Sequence, residues 1–297
     1  MAYDILSPIY TMEYTDGSTV DKAYVEQFRD NVVQLAQQDM SRLRSCVRNE
    51  SVRGDKFNFE RLGVSEAIQK TARHSITPIM DAPHSRRTLS MTDWQWADLV
   101  DEEDKLRMII SPESEYAKSG AMAMGRQFDR LIIAAMSGNS VDGDGSTVAL
   151  PIEQKIAVSG PMSIAAMTET KRIMDENEVA SNDRYFAMKA ADIEALLNTT
   201  EVTSADYNTV RALVKGEIDT YLGFKIIRTE LLTTTVAANT CLAWQKDHVG
   251  LGVGRDVVSR IDQRKDLSYA WQVYLAFTAG AIRIQEEGVV EVTTDYA

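Results

Sequence analysis

SPESEYAKSGAMAMGRQFDRLIIAAMSG, residues 111–138, has the punctuation and the periodicity of one long helix. Ser111 can cap its start, the hydroxyl accepting from backbone N–H groups that the first turn leaves free. Pro112 falls at the first helical position, where a missing N–H costs nothing. Glu113 and Glu115 place negative charge at the positive end of the macrodipole. Ala117, Ala121, Met124, Phe128, Leu131 and Ala135 recur at helical spacing and make one apolar stripe. Gly138 and Asn139 tolerate the left-handed conformation that ends many helices. About 25 residues at about 1.5 Å each give a rod of roughly 37 Å. A rod that long is a spine across which other elements can be laid.

The surrounding composition narrows the class. The chain has 297 residues and a formal net charge of −12. Acidity of this size disfavours binding to nucleic-acid phosphates, which needs clustered Lys and Arg. Cys46 and Cys241 lie far apart and form neither a disulfide framework nor a zinc spacing, so a reducing compartment is expected. The first residues, MAYDILSPIYTMEY, hold no basic leader and no apolar core of signal-peptide length. No apolar run approaches the roughly 18 residues a membrane span needs.

Before the spine, residues 1–19 read as a polar arm and 20–45 as an amphipathic helix. Val25, Phe28, Val32, Leu35, Ala36, Met40 and Leu43 form its apolar face. That face can pack on its own domain or on a neighbouring subunit. Residues 46–104 change character. Lys56–Glu60 alternates polar and apolar, 76–83 is interrupted by Pro78 and Pro83, and Arg86–Asp101 alternates again, with Trp94 and Trp96 two apart. This predicts two extended arms joined by a loop. Such a hairpin has too little apolar surface to bury itself and needs a partner. Its tip region carries Arg73, His84, Arg86 and Arg87, and an acidic run, Asp101, Glu102, Glu103 and Asp104, follows. These are either two solvated charge runs or a contact between the basic tip of one subunit and the acidic patch of the next.

After the spine come a turn-rich loop, GNSVDGDGS (138–146), and a second helix over Met162–Glu176. Then follow a strand at Arg184–Lys189, a short helix at Ala191–Asn198, a turn and strand at 222–228, and a strand at Cys241–Trp244. The last stretch predicts strands at Asp256–Arg264, Tyr269–Ile284 (interrupted at Gly280) and Val289–Thr293. The class is α+β.

Catalytic and ligand-binding motifs are sparse. His74, His84 and His248 are not spaced for zinc, and HExxH, GxSxG and Walker A patterns are absent. GLGVG at 250–254 lacks the rest of a dinucleotide fingerprint and reads as a glycine-lined turn. Asp142, Asp144, Ser146 and Glu153 mimic a calcium loop, but Thr147 stands where that loop needs glycine. No catalytic, cofactor or metal residue is assigned.

Three stretches carry a resemblance: FRDNVVQLAQQDMSRLR (28–44), TPIMDAPHSRRTLSMTDWQWADLVDEEDKLRMIISPESEYA (77–117) and AMGRQFDRLIIAA (123–135). With the order of elements, they resemble the major capsid proteins of tailed bacteriophages, the Hong Kong 97-like shell fold. GEIDTYLGFKIIRT (216–229) is similar to the turn-and-strand of the axial region in these proteins, with less specificity.

The resemblance implies an N-terminal arm (1–45) and an extended loop (46–104). It implies a peripheral domain (105–159) with its spine helix at 111–138, an axial domain (160–250), and terminal strands (251–297) returning to both. It implies self-assembly into pentamers and hexamers of an icosahedral head around double-stranded DNA, which is enclosed without specific binding. Expected partners are further copies, a separate scaffolding protein, a portal protein and a decoration or cement protein. Neither cofactor nor membrane is expected. The location would be the virion, assembled in the bacterial cytoplasm. Two alternatives stand beside this reading: an encapsulin-type compartment, which shares the fold, and a soluble enzyme with an unrecognised site.

Overall fold

The computed structural model describes residues 37–38, 40–74, 76–77, 79–101, 112–198, 220–234 and 238–295. In chain order the strands are β1 (Arg48–Ser51), β2 (Lys56–Leu62), β3 (His84–Ser90) and β4 (Thr92–Val100). The spine follows as α1 (Pro112–Ser137), then β5 (Ser140–Val141), β6 (Thr147–Val148) and β7 (Lys155–Val158). Next come α2 (Ile164–Glu176), β8 (Arg184–Met188), α3 (Ala190–Leu197), β9 (Thr220–Tyr221) and β10 (Phe224–Arg228). The chain closes with β11 (Ala238–Gln245), β12 (Val249–Arg264), β13 (Ala270–Arg283) and β14 (Val289–Asp295).

α1 lies on a four-stranded sheet of order β1-β12-β13-β4. β13 is its central plank: it pairs antiparallel with β12 from Arg283↔Val249 to Ala270↔Arg264, and with β4 from Ala279↔Thr92 to Trp271↔Val100. Successive strand residues face opposite sides, so Val273, Leu275, Phe277 and Ala279 share the face that meets the helix. Phe128 of α1 stacks on Phe277, ring centroids 4.1 Å apart. The residues that α1 buries are Gly120, Met124, Phe128, Ile132, Ile133 and Met136, together with Asp129. The expected stripe holds at Met124 and Phe128, with Ala117 and Leu131 packed part-buried against the same core, and is corrected at Ala121, which is exposed, and Ala135, which is half-buried. Glycine counts as contact surface here, because a Cβ on Gly120 would fall 2.6 Å from the Trp96 ring.

The helix also ends differently from expectation. Neither Gly138 nor Asn139 is among the positive-φ residues. Instead the buried Arg283 guanidinium donates from Nη1 to the carbonyls of Met136 (2.9 Å) and Gly138 (2.7 Å). A cation at the negative end of the dipole satisfies groups a left-handed cap would otherwise serve. Ser111, the expected start cap, lies outside the described residues, as does most of the helix expected over 20–45. Where that stretch is described it is not helical: Met40 is exposed, and Arg44–Cys46 is a single 3-10 turn.

The second body is a six-stranded sheet of order β7-β14-β11-β8-β10-β9. Its strands alternate between two cores. Tyr185, Ala187, Leu242 and Trp244 face the α1 cluster, and Phe186, Met188, Cys241 and Ala243 face a cluster with Met167 and Met174 of α2 and Leu196 of α3. α2 starts as expected within two residues, with Ser163 Oγ accepting from the Ala166 N–H at 3.3 Å. β8, α3, β10, β11, β13 and β14 fall where the sequence places elements of their type; β13 runs through Gly280 without interruption.

Candidate assembly surface

β2 and β3 form a separate antiparallel pair, in register from Lys56↔Ser90 to Leu62↔His84. β1 and β4, by contrast, are hydrogen-bonded into the α1 sheet. The projecting hairpin is thus narrower than 46–104: it comprises residues 56–90, with 63–83 as its connection. Val64, Ile76 and Ile79 on that connection are each more than nine-tenths exposed. Isoleucines held in water on a connecting segment are surface awaiting a partner.

The root of the hairpin is seated on glycine. Phe59 and Leu89 are buried with Val52, Ile282 and Ile284, and Phe57 and Met91 pack at the edge. Beneath them lie Gly250, Gly252, Gly254 and Gly280. A Cβ on Gly250 would meet the Phe59 ring at 2.6 Å, one on Gly252 would meet Leu89 at 2.3 Å, and one on Gly280 would meet the Ser90 carbonyl oxygen at 2.2 Å. GLGVG is therefore not the turn expected from sequence. It is strand interior, pared down so that a second layer of backbone can approach.

Polar contacts fix the root. Arg87 Nη2 donates to Glu286 Oε1 at 2.6 Å, and Arg87 Nη1 lies 3.4 Å from Asp142. Arg61, two residues from Arg87's cross-strand partner Phe59, reaches Glu286 Oε2 at 3.5 Å and donates to the Ile284 carbonyl at 3.0 Å. Arg283 Nε is 3.9 Å from the same carboxylate. Gly143 N–H donates to the Arg86 carbonyl at 3.0 Å, which ties β3 to the β5–β6 turn.

A second anchor holds the chain that enters from the N-terminal side. The wholly buried Asp129 carboxylate accepts from Ser41 Oγ (2.6 Å), from Arg42 N–H (3.0 Å), from Leu43 N–H (3.1 Å), and from Gln38 Nε2. Gly125, one turn earlier on α1, lets that backbone pass: a Cβ there would sit 2.9 Å from the Ser41 nitrogen. Arg44 then pairs bidentately with Asp256 (3.0 and 2.8 Å) and covers the Phe128 ring. The Arg44 hydrogen bonds hold the Asp256 carboxyl below its ordinary range.

The charged residues picked out by sequence separate into groups. Arg73 sits in an exposed turn of the connection. His84 and Arg86 are exposed on the half of β3 next to the connection, lining a shallow cleft with Glu60, Asp142 and Asp144; Arg86 is 3.5 Å from Glu60. Arg87 is turned inward and only 3% exposed, so its place among the exposed contacts is corrected: its partners are in its own subunit. Asp101 is exposed beyond the far end of β4, which at about 3.3 Å per residue stands roughly 30 Å from the hairpin root. Among the described residues, Asp101 is not brought to the basic groups of the hairpin. Glu102, Glu103 and Asp104 lie outside the described residues.

Sequence reading missed Asp129, Arg283 and Glu286. The signal was available for the first two: a charge inside an apolar run, as in FDRLII and AGAIRI, has to find a partner if the run is buried.

Residues 20–295 match the model of the phage capsid protein family. Similar solved structures include the capsid of the cyanophage P-SCSP1u, 16% identical, covering 95% of this chain and 96% of that one, with a TM-score of 0.71. The capsid of Ralstonia phage GP4 is 9% identical over 92% and 96% of the two chains, with a TM-score of 0.73. The capsid of a native GTA particle is 11% identical over 98% and 100%, with a TM-score of 0.69. No curated protein matches in sequence.

Proposed function

The chain belongs to the phage capsid protein family and is a major capsid protein with the Hong Kong 97-like fold, a structural component of the virion and not an enzyme, and from there we propose how it assembles. Copies join into pentamers and hexamers of an icosahedral head that encloses double-stranded DNA. Within them, residues 1–45 act as an arm, the 56–90 hairpin lies over the adjacent subunit, and about 160–250 gather around the five- and six-fold axes.

One observation carries this reading: the hairpin connection, 63–83, holds Val64, Ile76 and Ile79 almost wholly in water. A connection with exposed isoleucines is stable in a shell, where a neighbour covers it, and a liability in a monomer. Head-to-tail contacts of this kind close into rings, and rings joined by further contacts make shells. The basic residues Arg73, His84 and Arg86 are the candidates to meet a neighbour's Asp101, Glu102, Glu103 and Asp104, since Asp101 stands beyond the far end of β4, away from the hairpin root of its own subunit. A separate scaffolding protein, a portal protein and a decoration or cement protein complete the partners. The net charge of −12 suits a wall that confines DNA without adhering to it. Neither an encapsulin-type compartment nor a soluble enzyme is favoured beside the family match.

Replacing 64–82 with a short glycine turn tests the hairpin's role. The variant should fold, with parental helix content, and fail to close shells. Shells that form normally would remove the role.

A further inference from the structure

We propose that Glu286 is the positioning residue of the projecting hairpin, one carboxylate that sets the angle at which the hairpin leaves the subunit and couples that angle to the end of the spine helix. The apolar seat cannot set the angle by itself. Its core is five residues, Val52, Phe59, Leu89, Ile282 and Ile284, and its floor is the glycine face of β12 and β13. Apolar attraction is non-directional, and between the glycines the floor offers the hairpin two side chains to pack on, Ile282 and Ile284. Direction comes from the charged groups. Arg61 on β2 and Arg87 on β3 stand on the two opposite strands of the hairpin and converge on Glu286, at 3.5 and 2.6 Å.

Glu286 is itself held in place. It sits in the turn between β13 and β14, where its carbonyl accepts from Val289 N–H at 3.1 Å, and its side chain is only 10% exposed. Arg283, 3.9 Å from it, is the residue that donates to the last carbonyls of α1. The path from spine to hairpin therefore runs α1 carbonyls, Arg283, Glu286, then Arg87 and Arg61. β3 is the fixed strand, through the shorter ion pair and the Gly143–Arg86 backbone bond, and β2 is the looser one. A buried pair of this kind is weak evidence for net stability, because desolvation offsets its attraction.

The inference rests on the assembly reading only for its consequence, since the angle matters where a neighbour must be met. Its test uses the unassembled full chain. Nitroxide labels are placed at Leu62→Cys, on the distal end of β2, and Ala134→Cys, on the exposed side of α1; Cys46 and Cys241 are buried. Pulsed electron paramagnetic resonance then reads the distance distribution. Glu286→Gln keeps the shape and removes the charge, and it should about double the width of the distribution. Glu60→Gln, which removes an exposed carboxylate from the same hairpin, should leave it unchanged. A parental width in folded Glu286→Gln would overturn the proposal. If that variant does not fold, Arg61→Gln at the rim of the clamp carries the same measurement: broadening supports the proposal and a parental width overturns it. Whether broadened subunits still close shells is a separate readout, and it bears on the hairpin's role in assembly rather than on the clamp.

Discussion

At the scale of residues, neighbours in sequence have different jobs. Arg86 is about half exposed and Arg87 is buried against Glu286, although the sequence offers them as one basic pair. Arg87→Glu should therefore cost the subunit about 3–5 kcal/mol, because it breaks a buried pair and sets two carboxylates against each other. Arg86→Glu should leave unfolding in urea close to parental and instead weaken assembly, more at low salt than at high salt, since exposed charges are screened. Equal effects of the two on subunit stability would contradict the assignment. His248 supplies a pH dependence. Burial holds its pKa below the ordinary histidine value, against a partial pull upward from Glu287 and Asp247. The unfolded chain thus takes up the proton first, at about pH 6.5. Stability from this group is complete above that value and is lost as the pH falls through it toward the folded pKa. The subunit should melt at a lower temperature at about pH 5 than at about pH 7, and His248→Gln should flatten the difference. A melting temperature that does not fall on acidification would contradict it.

At the scale of elements, what was legible follows from what each pattern reports. Periodicity reports burial of side chains, so α1, α2, β8, β11 and the long β13 were readable in outline. It does not report which backbone passes close to which. Gly120 and Gly125 drew no reading, and Gly250 to Gly254 looked like a turn, because a glycine's contact is made by another residue. Likewise the polar anchors join positions 41–43 to 129, and 61 and 87 to 286, a separation no local window spans. The charged run at 101–104 was legible as charge, and the sequence left open whether it is a solvated run or a contact, since the proposed partner is on another copy. The glycine seat makes its own prediction. Gly280→Ala would drive a Cβ into the Ser90 carbonyl and should cost about 1–3 kcal/mol by overpacking. Gly254→Ala would press on the flexible Met91 methyl at 3.1 Å and otherwise make ordinary contacts with Thr278 (3.5 Å) and Val52 (3.6 Å), and should be tolerated. Urea midpoints of the two variants compare them directly, and equal midpoints would refute the close approach at Gly280.

At the scale of the whole molecule, the subunit is a rigid spine-and-sheet body with an edge it does not cover. α1 and β13 make the platform, Arg283 joins the helix end to the β13–β14 turn, and Glu286 hands that position on to a hairpin whose outer half touches water. Such a subunit is complete only among copies. Electron cryo-microscopy of particles assembled from the purified chain, alone and with a scaffolding protein, is the most direct measurement. The account predicts closed shells in which residues 63–83 of each copy lie on the adjacent subunit, with Arg73, His84 and Arg86 facing that subunit's 101–104 run. Shells in which 63–83 folds back onto its own subunit or points into solvent would contradict it.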